Sequence, residues 1–442
     1  MRNKKMNKIS GFSKLSKNDK IKWIISNHFD GNSNEKNLLK KYWNNDKKIQ
    51  RIHDDFSENT ISNYYMPMGI APNFNINDQY FTIPMVTEES SVVAAASYAA
   101  NFWFDKGGFK AKVQDTEKIG EIYFLFDGET KILKSFFKNH KKFLLEKTSH
   151  LTKRMKSRGG GIINIQLFDC TNKLENYYKI QVTFNTADSM GANFINSCLE
   201  EMSAVFLKKA NDYHPFVEKK NEIKVIMSIL SNYVPKCIVK AFVKCSIDQL
   251  SNTKNIRSKD YIEKFISAVE ISKIDTYRAV THNKGILNGI DAVSIATGND
   301  FRAIEAAIHS YACKSGNYSG LSNAYCSNGE FTFELTIPIP IGTVGGLTNS
   351  HPLVDWNLRL LNKPTSNQLM QITACVGLAQ NFAAINSLIT TGIQKGHMKL
   401  HLINILNKFN VNDELKGMAI LHFKNKKITY ESVYKYLKLN GI

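Results

Sequence analysis

Arg278-Ala-Val-Thr-His-Asn-Lys-Gly-Ile-Leu-Asn-Gly-Ile-Asp291, followed by Ile295-Ala-Thr-Gly-Asn-Asp300, is the stretch from which the organisation of this chain is read. It lies in a region, about 225–315, where a helical pattern of apolar residues dominates. Lys284 sits there between apolar segments, and Asp300 ends an apolar run where a turn should expose a ligand-facing edge. Far upstream, Glu88-Glu89 opens a helical stretch, 88–104, made mostly of Ala, Ser and Val. Ser90 or Ser91 is placed to cap its start. A buried lysine flanked by carboxylates is a constellation for charge stabilisation and proton transfer, because close packing shifts every pKa involved. Spacing alone favours the plainer reading, three unrelated ion-pairing or capping residues.

Outward from this stretch, residues 12–60 read as polar helices and 64–72 as a turn-rich link. Residues 74–84 alternate like a β-hairpin with Asn77-Asp78 at its tip. Strands are predicted at 110–114, 120–126, 161–167 and 177–185, with helices at 131–149 and 191–211, an alternation that suggests a compact α+β insert. A strand-like segment at 329–340 leads into Gly342-Thr-Val-Gly-Gly346, and a short helical unit follows Gly392 and Gly396. There is no internal repeat and no low-complexity linker.

The length of 442 residues implies two or three domains. With 43% hydrophobic and 22% charged residues the composition is that of an ordinary globular protein. No stretch of about 18 or more uncharged apolar residues is evident, which argues against a transmembrane helix. The basic N-terminus lacks an apolar signal-peptide core. Seven cysteines, at 170, 198, 237, 245, 313, 326 and 375, form no Cys-x-x-Cys, which predicts a reducing, cytoplasmic setting. The net charge of +19 suits either polyanionic and phosphate-bearing ligands or a Lys-rich solvated surface, with runs at 3–8, 36–48 and 424–427. The second reading is preferred; no Arg-rich helix, RNA-binding aromatic signature or zinc finger supports a nucleic-acid partner.

Several common motifs are missing. No Gly-x-Gly-x-x-Gly follows a strand, so a Rossmann domain is not signalled, and there is no Walker motif or Gly-x-Ser-x-Gly. Gly159-Gly-Gly161 could wrap a phosphate or form a tight turn. His397 and His401 have the spacing of paired metal ligands, but the zincin Glu and a third ligand are missing, so no metal is expected.

Longer motifs carry a resemblance. Pro84-Met-Val-Thr-Glu-Glu-Ser-Ser-Val-Val-Ala-Ala-Ala-Ser97, Arg278 to Asp291, Ala296-Thr-Gly-Asn-Asp-Phe-Arg-Ala-Ile-Glu-Ala306 and Gly392-Ile-Gln-Lys-Gly-His-Met-Lys-Leu-His401 resemble, in order, the segments bearing the catalytic Glu, Lys, Asp and His of class II (bacterial-type) 3-hydroxy-3-methylglutaryl-CoA reductases. Asp188-Ser-Met-Gly-Ala-Asn193 is similar to that family's cofactor motif, and Gly342 to Gly346 with His351-Pro352 to its Gly-rich turn. The likeness runs from Gly11 to the C-terminus, nearly the whole chain. One departure is Glu58-Asn-Thr-Ile-Ser62, with Ser where the family has Gly. Insertions around 107–118 and the Lys-rich 137–147 suggest a modestly altered cofactor domain.

The resemblance implies an α+β fold with a large helical CoA- and HMG-binding domain (1–112 and 224–392), an inserted small non-Rossmann NAD(P)H-binding domain (113–223) and a C-terminal helical flap (393–442). It implies four catalytic residues, Glu89, Lys284, Asp300 and His397. Lys284 would stabilise the thioester oxyanion and His397 would protonate the CoA thiolate. Glu89, kept neutral by desolvation, would protonate mevaldehyde, while Asp300 hydrogen-bonds Lys284 and Glu89. Ser91, Arg278, Asn288, Asn381, Gln380 and Lys14 would bind substrate, although Ser91 could instead be a helix cap and Asn381 a turn former. Asp188, Met190, Gly191 and Asn193 would bind the cofactor. Thr152-Lys-Arg-Met-Lys-Ser-Arg158 has four basic residues and no acid, so Lys153 and Arg154 favour the 2′-phosphate of NADPH over NADH, against a plain solvated run. A homodimer with active sites at its interface is expected, with a hexamer left open. The enzyme run backwards as a mevalonate oxidoreductase and a non-catalytic CoA-binding relative are the competing readings.

Overall fold

The computed structural model describes residues 8–250, 258–346, 348, 350–390, 392, 402–403, 405–409, 411–423, 426 and 428–440. Residues up to Pro67, together with Ser350–Pro352, form one compact unit, and the rest of the chain forms another. In the first unit three short helices, α1 (Lys17–His28), α2 (Ser33–Lys41) and α3 (Lys47–Asp54), start at Ser16, Asn32 and Asp46, whose side chains accept backbone N–H groups of their first turns. Ser62, which stands where a glycine was expected, donates through Oγ to Leu39 O at 2.7 Å, so the hydroxyl is used rather than merely tolerated. His351 stacks on Phe56 with ring centroids 5.3 Å apart.

In the second unit, β1 (Met68–Ile76) and β2 (Gln79–Val86) form the expected hairpin. Asn77 and Asp78 turn it with φ of 50° and 65°, a left-handed conformation these two residue types tolerate. The predicted link at 64–72 is only partly one, because β1 begins at Met68 and pairs with Val86. Helix α4 (Val92–Phe104) follows.

A four-stranded antiparallel sheet is built from β3 (Lys110–Val113), β8 (Ile238–Ser246), β9 (Ser322–Ser327) and β10 (Glu330–Pro338), in the order β3-β8-β10-β9. Against it pack α9 (Ser258–Ile274), α11 (Phe301–Ala312) and α13 (Ser366–Ile389), which follows the short α12 (Pro352–Leu360), while α10 (Thr276–Ala296) lies on α13 and β2, around fully buried Trp103, Phe265, Phe331, Phe333 and Phe382. The reading of 225–315 as helical is corrected by β8 and by β7 (Ile223–Ser231). Both are short, β-branched apolar runs, which periodicity alone does not separate from buried helix.

A second core sits between β3 and β8 in sequence. Its sheet, ordered β5-β6-β4-β7, uses β4 (Lys118–Phe126), β5 (Gly161–Asp169), β6 (Tyr177–Asn185) and β7. Alternate residues of β6, Tyr178, Ile180, Val182 and Phe184, are buried in one core with α5 (Thr130–Lys147) and α7 (Ala192–Asn211), to which the short α6 (Ser149–Lys156) and α8 (His214–Lys219) add Leu151 and Phe216. At Gly120 a Cβ would lie 2.6 Å from Leu199 Cδ1, so helix and sheet meet at the closest possible approach. The two chain crossings into this body are zipped together: Gln114 N donates to Ile238 O at 2.8 Å and Ile238 N to Asp115 O at 2.9 Å.

Helix α13 corrects the statement that no long uncharged apolar stretch exists. It carries 24 residues without a charge and is long and apolar enough to cross a membrane, yet most of it is buried inside this fold. Gln371, Thr373, Gln380, Asn381 and Asn386 interrupt the run, which hid it from inspection. A capping box between Thr365 and Gln368 fixes its start. Near the C-terminus, helices Asp413–His422 and Tyr430–Leu439 close a third small core around Leu406, Val433 and Leu437.

Candidate active site

Helix α10 begins at Asp275, whose side chain accepts the N–H of Arg278 at 2.9 Å. It runs so close to α13 that a Cβ on Gly289 would lie 3.0 Å from Val376, and one on Gly377 3.0 Å from Ile290. This approach lets side chains of both helices reach one cavity of about 580 Å³, whose third wall is the start of α4. Ser91, Arg278, Asn288, Gln380 and Asn381 all line it, as do Glu89 and Lys284.

Lys284 Nζ lies 2.7 Å from Glu89 Oε2, joining residues 195 positions apart. Neither is buried: the side chains are 57% and 41% exposed, which corrects the expected buried lysine and desolvated Glu89. Asp300 is bonded to other groups. Its Oδ1 accepts the N–H groups of Arg302 (3.1 Å) and Ala303 (3.2 Å) as the N-cap of α11 and pairs with the Arg302 guanidinium at 2.9 Å. No hydrogen bond joins Asp300 to Lys284 or Glu89 in this structure, so the expected three-way contact is only two-way. His397 lies outside the described residues. Lys14 ends a 3-10 turn in the first unit and is exposed.

The cavity wall has unmet polar groups. Gln380 Oε1 and Asn381 Oδ1 are buried without a hydrogen-bond partner among the described residues, and Asn381 Nδ2 is 3.4 Å from His282 O. Arg278 is half-buried, its pKa drawn down by that burial, and no described carboxylate pairs with it. A guanidinium left in this way is a receptor for an anionic ligand group. Ser91 holds the N-cap position of α4 with φ 77°, but its side chain makes no capping bond, so the helix-cap reading fails. Asn381 lies within α13, so it is no turn former.

Sequence reasoning missed two neighbours. His282 is buried, with Nε2 2.6 Å from Ser322 Oγ; burial first, then the charge of Arg278, push it down to about 3, so it is neutral. Asp291 follows Lys284 by two turns of α10. Burial first, then the Glu305 carboxyl, push it up to about 8 against the opposing pull of Lys284. Both look like ordinary helix residues in sequence, and only the packing of α10 against its neighbours reveals them.

The Asp188–Asn193 motif forms a tight loop at the end of β6. Asp188 O accepts from Thr343 N (2.8 Å) and Val344 N (3.2 Å) of the Gly-rich turn, and Asp188 Oδ1 accepts from Ser366 N. Gly342 is essential to this seam, since a Cβ there would lie 2.4 Å from Met190 N. Gly342 N in turn donates to Asn299 Oδ1 at 2.9 Å, tying the turn to the residue before Asp300. Gly191, φ 93°, is the N-cap of α7, and Asn193 is exposed in its first turn. Lys153 and Arg154 are exposed on the helix Ser149–Lys156. Gly159 and Gly160 end that helix in a tight turn, and Gly161 pairs with Asn185, just before the loop. Among the described residues no three His, Cys, Asp or Glu side chains gather as a metal site.

The hydroxymethylglutaryl-coenzyme A reductase family model matches residues 19–402. The chain belongs to the hydroxymethylglutaryl-CoA reductase family. It is 33% identical over 398 residues to 3-hydroxy-3-methylglutaryl-coenzyme A reductase of Archaeoglobus fulgidus, covering 90% of this chain and 86% of that protein. It is 31% identical over 439 residues to a probable reductase of Borreliella burgdorferi, covering 97% and 96%. Among solved structures, the class II hydroxymethylglutaryl-CoA reductase of Streptococcus pneumoniae bound to NADPH in open conformations superposes with a TM-score of 0.71 at 34% identity, covering 88% and 91%. A second structure of the Streptococcus pneumoniae enzyme gives 0.72 at 32% identity, covering 97% and 99%. Membership in the hydroxymethylglutaryl-CoA reductase family makes this chain an NAD(P)H-dependent oxidoreductase of HMG-CoA.

Proposed function

We propose that the chain converts HMG-CoA to mevalonate and CoA with two equivalents of NADPH, using Glu89, Lys284, Asp300 and His397. The observation that carries this is the Lys284–Glu89 pair on a cavity that also presents Arg278, Asn288 and two unpartnered amide oxygens. Arg278 fits the HMG carboxylate, and Ser91, Asn288, Gln380 and Asn381 fit its hydroxyl and carbonyl groups. Lys14 is proposed as a CoA contact on the resemblance alone.

The Asp188–Asn193 loop fits a dinucleotide: a Cβ on Gly191 would lie 2.3 Å from Thr186 Cγ2, leaving the bare backbone at the start of α7 for phosphate. Lys153 and Arg154 sit on the helix whose glycine turn abuts the same strand end, which supports NADPH over NADH. When bound, the cofactor supplies hydride. Lys284 holds the oxygen that becomes negative as the thioester carbonyl is reduced, and this charge is where a fixed ammonium stabilises most. His397 gives a proton to the departing CoA sulfur. Glu89 delivers a proton to the aldehyde oxygen of mevaldehyde, and Lys284 at 2.7 Å is placed to orient it. Asp300 would reach Lys284 through Oδ2, its Oδ1 being committed to α11 and Arg302.

A second copy of the chain is proposed to cover the start of α10, where Ile274 and Tyr277, 86% and 92% exposed, precede the cavity residue Arg278. Sedimentation analysis of Tyr277→Glu tests this; a variant that assembles as the wild type does removes the reading.

The deciding experiment is HMG-CoA-dependent oxidation of NADPH and, separately, of NADH, with Lys284→Ala in parallel. Turnover by the wild type that disappears in the variant supports the assignment, and the rate ratio tests the cofactor choice. A folded wild type inactive with both cofactors overturns it.

A further inference from the structure

Lys118 opens β4 at the crossing between the two cores, and its amine is turned inward. The residue is 5% exposed, and Nζ lies 2.7 Å from Thr186 Oγ1 and 3.5 Å from Ser189 O. No described carboxylate pairs with it, and burial draws its pKa down. An inward lysine without a counter-ion is costly, so the fold holds it there against a penalty.

What it holds is the loop ahead of α7. Thr186 Oγ1 donates its own proton to Ser189 O at 2.6 Å, so towards Lys118 it can only accept. Ser189 Oγ returns a bond to Thr186 O at 3.0 Å. Between them Ala187 is forced to φ 47°, and Gly191 follows at 93° against the Thr186 methyl. Asp188 and Ala187 are fastened from the other side by Thr343, Val344 and Ser366. Lys118 also lines a small cavity of about 10 Å³ with Met190, Ser231 and Asn232, room for about one water.

We infer that Lys118 is a positioning residue for the nicotinamide cofactor: from inside the crossing it fixes Thr186, and through it the loop that presents the start of α7. The inference rests on the assignment of residues 188–193 as the cofactor loop. Lys118 touches neither HMG-CoA nor the reacting atoms. Its loss therefore acts on cofactor affinity, whereas a lysine serving only general stability would weaken both substrates together.

The test uses the full-length protein with Lys118→Met, Thr186→Val, the double variant and Gly191→Ala, reading NADPH binding by cofactor fluorescence and both KM values. Lys118→Met and Thr186→Val should each weaken NADPH binding about tenfold while the HMG-CoA KM moves by no more than about twofold. The double variant should be no worse than the worse single one, since Lys118 acts through Thr186: both variants break the bond they share, and Thr186→Val also frees Ser189 O. Wild-type NADPH affinity in Lys118→Met, equal weakening of both substrates, or additive single effects would overturn the inference. If Lys118→Met fails to fold, Thr186→Val decides alone, with wild-type affinity the refuting result. Gly191→Ala separates the premises. Unchanged NADPH binding there removes the cofactor-loop reading itself, whereas lost binding there with intact binding in Lys118→Met removes only the role of Lys118.

Discussion

Asp188 and Ser366 meet across 178 positions of sequence: the Asp188 Oδ1 accepts the first-turn N–H of Ser366 at 2.8 Å. A carboxylate at the positive end of a helix is favourable. Here the helix is α13, which carries Gln380 and Asn381 about 20 Å further along its axis. The proposed cofactor loop is thus anchored on the rod that bears the proposed substrate residues. Asp188→Ala should raise the NADPH KM about tenfold and cost about 1–3 kcal/mol of stability by stripping a partner from Ser366 N. Asp188→Asn keeps an acceptor and should cost less on both counts; equal effects of the two variants in calorimetry and titration would contradict this.

Glu89→Gln isolates proton delivery. An amide still accepts from Lys284 but gives no acidic proton, so turnover should fall by about 10²–10⁴. Because the Glu89 side chain is 41% exposed, its pairing with Lys284 should change stability by less than about 1 kcal/mol. Mevaldehyde reduction assayed directly should show the full loss. A variant that reduces mevaldehyde at the wild-type rate would remove Glu89 from that step.

Arg278→Lys should not rescue Arg278→Ala. The fork geometry of guanidinium grips a carboxylate through two parallel bonds, which an ammonium does not supply. Both variants should raise the HMG-CoA KM, by about tenfold or more, and leave the NADPH KM within about twofold. Wild-type HMG-CoA KM in Arg278→Lys would show that charge alone suffices.

Asp291 gives a pH dependence with a defined sign. In the unfolded chain its carboxyl releases a proton near pH ~4. In the fold, beside Glu305, it is pushed up to about 8. The folded state therefore carries the extra proton between these values, and the stability associated with this group falls as pH rises through that window. Asp291→Asn should raise Tm more at pH 8.5 than at pH 5. A Tm gain that is the same at both pH values would rule out this titration.

The residues of the proposed site were legible because they sit in long, distinctive motifs, and Lys284, Arg278 and Asn288 lie within fourteen consecutive positions. The hairpin tip at Asn77-Asp78 was legible for a local reason, the backbone conformation those residues accept. The inward Lys118 was not. Thr-Glu-Lys-Ile reads as a solvated start of a strand, and its burial is decided by Thr186 and Ser189, about seventy positions away. The exposure of Glu89 was equally hidden, since it depends on where α10 and α4 meet, whereas the cap that Asp300 makes on α11 is local and matches the capping reading its spacing favoured. The strands β7 and β8 escaped because a short apolar run has no period of its own.

The pairing of Gln114 and Asp115 with Ile238 has a consequence for how the chain assembles. These residues close what is topologically a hairpin whose tip is an entire folded body. Until that body forms, the bond between β3 and β8 must close a very long, floppy loop; once it has formed, the two ends are delivered side by side and the loop is effectively short. The inserted body thus acts as a splint, and core mutations in it, such as at Phe124 or Phe206, should slow the joining of a sheet they never touch.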